Sequence, residues 1–232
     1  MTPQRFPGNG WIVLVGGGEF SFEETLDADA AWVEKLPPGP VGFLPAASGS
    51  MDYGEHFANY FHEVFGREVV TLPIYRGRDA RRGKNAERIA ECSAVYLGGG
   101  VTDHLLEALA PGTPVLAALE AKLAAGGIVV AIAAAVSALG QVARSIRIGE
   151  TVPGVGWLPG GVLETNFVTE HDRRLRKLLT TPGVDWGLGI PTGDAVLLGP
   201  DGVVEYVGEV YGLASPDGPL EPLGEPLEDE PL

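Results

Sequence analysis

Short unbroken apolar runs alternate with amphipathic stretches through the first half of the chain. Trp11-Ile12-Val13-Leu14-Val15 has no polar interruption, as expected of a strand buried on both faces, and further short strands are expected at 41–44, 69–72, 94–97 and 128–132. Between them the apolar residues fall at helical spacing. A helix is expected over 23–36, with Leu26, Ala30, Val33 and Leu36 on one face and Pro37-Pro38 closing it. The stretch 53–65 carries Phe57, Tyr60, Phe61 and Phe65 on one face, an aromatic stripe that reads as core rather than as a cofactor site. Further helices are expected at 84–92, 102–109 and 114–125, the last ended by Gly126-Gly127. Strands alternating with helices predict a parallel α/β sheet with right-handed crossovers.

The later third changes character. Ser145-Ile146-Arg147-Ile148 alternates like a short strand, a strand follows from Val162, and 170–179 reads as a helix with its basic residues outward. Strands are expected at 187–190, 195–198 and 203–207, the last two forming a hairpin across Gly199-Pro200-Asp201-Gly202. The expected architecture is a single α/β domain over 1–214: a three-layer αβα sandwich around a mainly parallel, flavodoxin-like sheet with an antiparallel C-terminal extension. The remainder, 215–232 (SPDGPLEPLGEPLEDEPL), is proline-rich and acidic with no basic residue, and reads as a mobile, solubilising tail.

Charge and composition narrow the partners. The 232-residue chain has 16 basic against 31 acidic residues, a net charge of −15 that disfavours nucleic acid and anionic membrane surfaces. No apolar run approaches the roughly 18 residues of a membrane span. The opening MTPQRFPGNG has no signal-peptide core. A single cysteine, Cys92, gives no disulfide framework and suits a reducing interior, so a cytoplasmic location is expected. Two basic clusters stand out: Arg76, Arg78, Arg81, Arg82, Lys84 and Arg88, then Arg173, Arg174, Arg176 and Lys177. They read as solvated faces unless they border a cleft.

Candidate chemistry gathers at the carboxyl ends of the expected strands, where open α/β folds bind ligands. Four corners meet there: GGGE at 16–19, PAASGS at 45–50, GGGVTD at 98–103, and VVAIAAAVSALG at 129–140. Successive glycines let backbone N–H groups approach an oxyanion or carboxylate. None of the loops fits a dinucleotide or phosphate-loop fingerprint, so nucleotide binding is rejected and no cofactor is expected. His56 and His62 lie six residues apart, without metal-ligand spacing, and no metal site is expected.

Taken in order, VGGGE, LPAASG, YLGGGVTDHLLEAL, GGIVVAIAAAVSALG, GVGWLPGGVLETNF and GLGIPTGDAVLLGPDGVVEYVG resemble the successive motifs of the cyanophycinase and dipeptidase E family of serine peptidases. That family's fold is related to the class I glutamine amidotransferases. The resemblance implies a strand-to-helix elbow at Ala131–Ala135, with Ala133 in the place of the nucleophilic serine and alanines in place of both elbow glycines. Asn166 occupies the place of the general-base histidine, Val101 that of a polar residue after the glycines, and Glu150 is the candidate for the orienting acid. The oxyanion-type loop implies ligand contacts at Gly18, Gly99, Gly100, Val101 and Ala134. A methyl group forms no acyl-enzyme and a carboxamide accepts no serine proton at neutral pH. The expectation is a family homologue that has lost peptidase activity and keeps a pocket for a small acidic ligand or peptide end, assisted by Arg173 or Arg76, with homo-oligomerisation left open. Two rivals stand beside it. One is a hydrolase with a rearranged site, Ser137 served by His104 or His171. The other is a non-catalytic structural or partner-binding subunit.

Overall fold

The computed structural model describes residues 3–227. Its centre is a seven-stranded sheet in the order β11-β10-β1-β5-β4-β2-β3. The five parallel members are β1 (Trp11–Val15), β2 (Val41–Leu44), β3 (Val69–Thr71), β4 (Ala94–Leu97) and β5 (Ile128–Ile132). β10 (Ala195–Leu198) and β11 (Val204–Val207) extend one end antiparallel, joined by the expected turn at Pro200–Gly202.

Side chains alternate between two apolar layers. Ile12, Leu14, Val129 and Ala131 point to one layer, where α3 (Gly83–Glu91), α4 (Thr102–Ala108), α5 (Pro114–Ala124) and α6 (Ala134–Leu139) pack Ile89, Leu105, Leu119 and Leu139 against them. Val13, Val15, Val130 and Ile132 point to the other, covered by Trp32 of α1 (Leu26–Val33) and by Phe57 and Phe61 of α2 (Asp52–Phe65). This is the three-layer αβα arrangement. The aromatic stripe of α2 is core: Phe57 packs against Tyr96 in a tilted pair with ring centroids 4.3 Å apart.

A second sheet, β13-β12-β9-β8, was not separable in the sequence. β8 (Gly161–Thr165) and β9 (Trp186–Ile190) run parallel, β12 (Tyr211–Leu213) and β13 (Glu221–Pro222) follow antiparallel, and α7 (Arg173–Leu179) packs Leu175 and Leu179 into this unit.

Three expectations need correction. Ser145–Ile148 is a turn, not a strand, and joins β6 (Val142–Arg144) to β7 (Thr151–Pro153). Its alternation has no strand partner. Instead Asp103 on α4 accepts from the Ser145 hydroxyl and from the Ile146 amide (3.0 Å), which leaves Ile146 and Ile148 exposed. α1 begins only at Leu26, because Glu23 has a left-handed backbone (φ 61°) that closes a 3₁₀ turn over Phe20–Phe22. The acidic stretch from Ser215 is docked over its first part: Arg176 donates to the carbonyls of Pro216 and Gly218 (both 2.8 Å), and Leu223 N–H donates to Val210 (2.7 Å). Residues 228–232, with Glu228, Asp229 and Glu230, lie outside the described residues.

Candidate functional site

Register decides where the corners meet. Val15 pairs with Ile132, Leu97 with Ala131 and Leu44 with Leu97, so the glycine loops and the alanine corner leave the sheet at one level. At that level the Ala133 amide donates to the Val15 carbonyl (3.0 Å), carrying the β1–β5 pairing one residue past the strand. The chain must then reverse into α6 at once, and the Val136 and Ser137 amides donate back to the Ala133 carbonyl (3.0 and 3.3 Å). The result is a strained elbow: Ala133 sits at φ 51°, ψ −117°, a region that side chains with a Cβ avoid.

Two cavities meet over this elbow, and Gly100, Ala133 and Asn166 line both. One, of about 570 Å³, runs between α6, β8 and α7 past Ser137, Glu164 and Arg174. The other, of about 480 Å³, opens between the glycine loops past Gly18, Tyr53, Gly99 and Thr192. Glycine is required where the loops approach each other. A Cβ on Gly17 (φ 139°) would lie 2.2 Å from Asn166 Oδ1, and one on Gly100 (φ 143°) 2.5 Å from the Ala47 backbone.

Asn166 follows β8 in a left-handed conformation (φ 48°), its amide donating to the Gly16 carbonyl (2.8 Å) and its Oδ1 accepting from the Thr192 hydroxyl (3.0 Å). The carboxamide therefore packs across Gly17 at the rim shared by the cavities. Val101 and Ala134 line the larger cavity and Gly18 the smaller.

Glu150 is brought to neither. It is exposed beyond the β6–β7 turn and borders a separate cavity of about 340 Å³ with Arg144, Arg174 and Lys177, so it is not placed to orient a group at Asn166. Arg173 and Arg76 also line neither cavity; Arg76 caps the short 3₁₀ helix Gly77–Arg81, and the arginines in the wall of the larger cavity are Arg144 and Arg174. Ser137 lies in the larger cavity, but its hydroxyl donates to the Leu163 carbonyl (3.4 Å). His104 is exposed on α4 and lines neither cavity, while His171 is exposed at the rim of the larger one. Among the described residues no cluster of His, Cys, Asp or Glu could hold a metal ion.

Two residues that sequence reasoning passed over belong to the site. Tyr53 stacks on Phe20 (centroids 5.5 Å apart) and its hydroxyl meets the Gly99 amide; burial, reinforced by Glu19, pushes that hydroxyl up to about 12. Glu164 is 8% exposed at the floor of the larger cavity. Its Oε1 lies 3.2 Å from Arg174 Nε, while Oε2 is buried without a hydrogen-bond partner among the described residues. Burial holds its carboxyl above the usual range against the downward pull of Arg174. A lone charge inside the strand-like GVLET was the available signal.

A strand entering a strained turn and a short helix, at the glycine-lined carboxyl edge of a mainly parallel sheet, defines the scaffold of a serine-hydrolase-like α/β protein. The chain belongs to peptidase family S51, whose profile matches residues 12–149. Cyanophycinases of Synechococcus elongatus and Thermosynechococcus vestitus are each 26% identical to it over 228 residues, covering 89% of this chain and 68% of theirs. In structure it is similar to a peptidase from an acI-B1 actinobacterium (TM-score 0.71, 21% identity, 94% of this chain and 96% of that one). A putative peptidase E protein of Listeria monocytogenes shares the fold less closely (TM-score 0.62, 15% identity, 85% and 98%).

Proposed function

We propose that this chain is a peptidase family S51 homologue that no longer cleaves peptides by serine acyl transfer and that uses the cleft over Ala133 to bind a small ligand. The observation that carries the reading is the elbow itself, with a methyl group at its apex (φ 51°, ψ −117°). Acyl transfer needs an attacking oxygen and a proton acceptor acting as one unit. Asn166 supplies a carboxamide, already engaged with Thr192. The Ser137 hydroxyl, in the larger cavity, points at a backbone carbonyl rather than an imidazole. The backbone N–H groups of Gly100 and Ala134 around the elbow suit a ligand's carboxylate or an acidic peptide end. The lone Cys92 fits a cytoplasmic setting.

A fluorophosphonate probe and a panel of aspartyl dipeptides test the reading. The protein is expected to stay unlabelled and to release no amino acid, whereas the Ala133→Ser, Asn166→His double variant is expected to label at residue 133. Labelling of the unaltered chain at Ser137, abolished by Ser137→Ala, would overturn the proposal in favour of a rearranged hydrolase.

A further inference from the structure

Positive charge is concentrated at one edge of the central sheet. Residues 76–88 hold six of the 16 cations, Arg76, Arg78, Arg81, Arg82, Lys84 and Arg88, against two acids, Asp79 and Glu87. They form the 3₁₀ helix Gly77–Arg81 and the start of α3, which lies beside the edge strand β3. All but Arg88 are exposed. Arg82 faces the buried Asp79 carboxylate (3.6 Å), but Arg78, Arg81 and Lys84 make no ion pair among the described residues, although the chain carries 31 acids.

The opposite edge of the sheet has the complementary surface. A groove of about 600 Å³ runs between α1, the edge strand β11 and the stretch 223–227. Tyr206, Leu223 and the exposed Leu227 give it apolar surface, while Asp27, Glu34 and Glu225 supply exposed carboxylates. No basic residue lines it, and none of the three acids is in an ion pair among the described residues. In sequence three more acids, Glu228, Asp229 and Glu230, follow Leu227 directly. Arginines suit such a groove, because their alkyl stems cover apolar surface while the guanidinium groups pair with carboxylates and stack on an aromatic ring.

One molecule cannot bring the two surfaces together. β3 and β11 are the outermost of seven strands, which at about 4.8 Å per step are roughly 29 Å apart. That is several times the screening length of about 8 Å at physiological salt, so neither surface neutralises the other in place. Two copies of a chain with net charge −15 repel in most orientations. The approach of patch to groove is the one in which local charge attracts. We propose that the acid-lined groove between α1 and β11 receives the basic patch 76–88 of a second copy, giving a head-to-tail association. Such a contact is heterologous, so each added copy leaves one patch and one groove free.

The test is sedimentation equilibrium of the full chain across about a hundredfold range of protein concentration. Concentration-dependent association is expected at about 20 mM NaCl and should weaken at least about tenfold at about 500 mM. Two variants remove one surface each: Arg78→Glu, Arg81→Glu, Lys84→Glu on the patch, and Glu34→Lys, Glu225→Lys in the groove. Each alone should associate at least about tenfold more weakly than the unaltered protein. Mixed in equal amounts, they should form a heterodimer and nothing larger, since the intact groove of the first meets the intact patch of the second. All five positions are exposed, and an unchanged circular dichroism spectrum checks that the variants fold. Should either fail to fold, the salt dependence of the unaltered protein decides. A unaltered chain that stays monomeric at low salt, or association indifferent to salt, overturns the proposal. So do variants that associate as before, or a mixture that does not pair. Binding of tetra-arginine by a monomeric chain, lost in Glu34→Lys, Glu225→Lys, would assign the groove to a foreign cationic peptide and overturn docking between copies.

Discussion

Replacing Ala133 with glycine measures the strain on which the elbow depends. Alanine is held there at φ 51°, ψ −117°, and residues kept in such regions cost on the order of 1–3 kcal/mol. Glycine adopts the same angles freely, so that cost disappears. Against the gain stand about 0.4–1 kcal/mol of extra unfolded-chain entropy and roughly 0.5 kcal/mol for a half-buried methyl. The balance is a stabilisation of about 0–2 kcal/mol, or a few degrees in Tm for a chain of this size. Ala134→Gly is the matched control. It removes the same methyl one residue later, inside α6, where φ is not positive, and should destabilise by about 0.5–1 kcal/mol. Urea unfolding of both variants beside the unaltered protein reads the contrast. Opposite signs support strain imposed by the β1–β5 register. Equal losses in the two variants would refute the reasoning, because Ala133 would then behave as an ordinary helix-start residue.

Two further outcomes follow from buried groups around the site. Asp29 is fully buried, accepting from Thr25 Oγ1 (2.8 Å), Trp32 Nε1 (2.9 Å) and the Tyr60 hydroxyl (3.2 Å), and burial raises its carboxyl from 3.8 to about 6. A raised acid binds its proton more tightly when folded, so its contribution to stability is complete below pH 3.8 and is lost as the pH rises through about 6. Asp29→Asn should therefore gain relative to the unaltered protein by up to about 3 kcal/mol between pH 4 and pH 7.5, read by urea unfolding at both values; a difference independent of pH would sink the assignment. Gly17→Ala places a Cβ 2.2 Å from Asn166 Oδ1 at a positive φ, and is expected to lower stability by about 1–3 kcal/mol. Adding Asn166→Ala should recover part of that loss, and strict additivity in the double-mutant cycle would show that the two side chains do not meet.

How much of this was legible depends on whether the deciding contact is local. Four of the five parallel strands were readable because each is an apolar run largely buried on both faces, whereas the edge strand β3 leaves Val70 exposed; the corners at their ends followed from the glycines. The elbow's place was readable too, but its strain was not: alanine prefers other angles, and only the pairing of Ala133 with Val15 forces the turn. The second sheet was hidden for a related reason. Its parallel pair joins Gly161 to Trp186 across the helix α7, and β9 is broken up by Gly187 and Gly189, whose missing side chains admit Leu179 and Phe167. Locally, a strand so rich in glycine has little to declare which sheet it joins. The turn at 145–148 misled in the opposite direction, since its perfect alternation is satisfied by Asp103, 42 residues away from Ser145, rather than by a neighbouring strand. Glu164 combines both effects. In sequence it is one charge in an apolar segment, which a surface strand would display equally well. What sets it apart is the cavity on one side, with Arg174 facing one oxygen and the other without a side-chain partner among the described residues. The buried charge of this cleft therefore lies not at Ala133 and Asn166, the positions the resemblance gives to nucleophile and base, but two residues before the second of them, on β8.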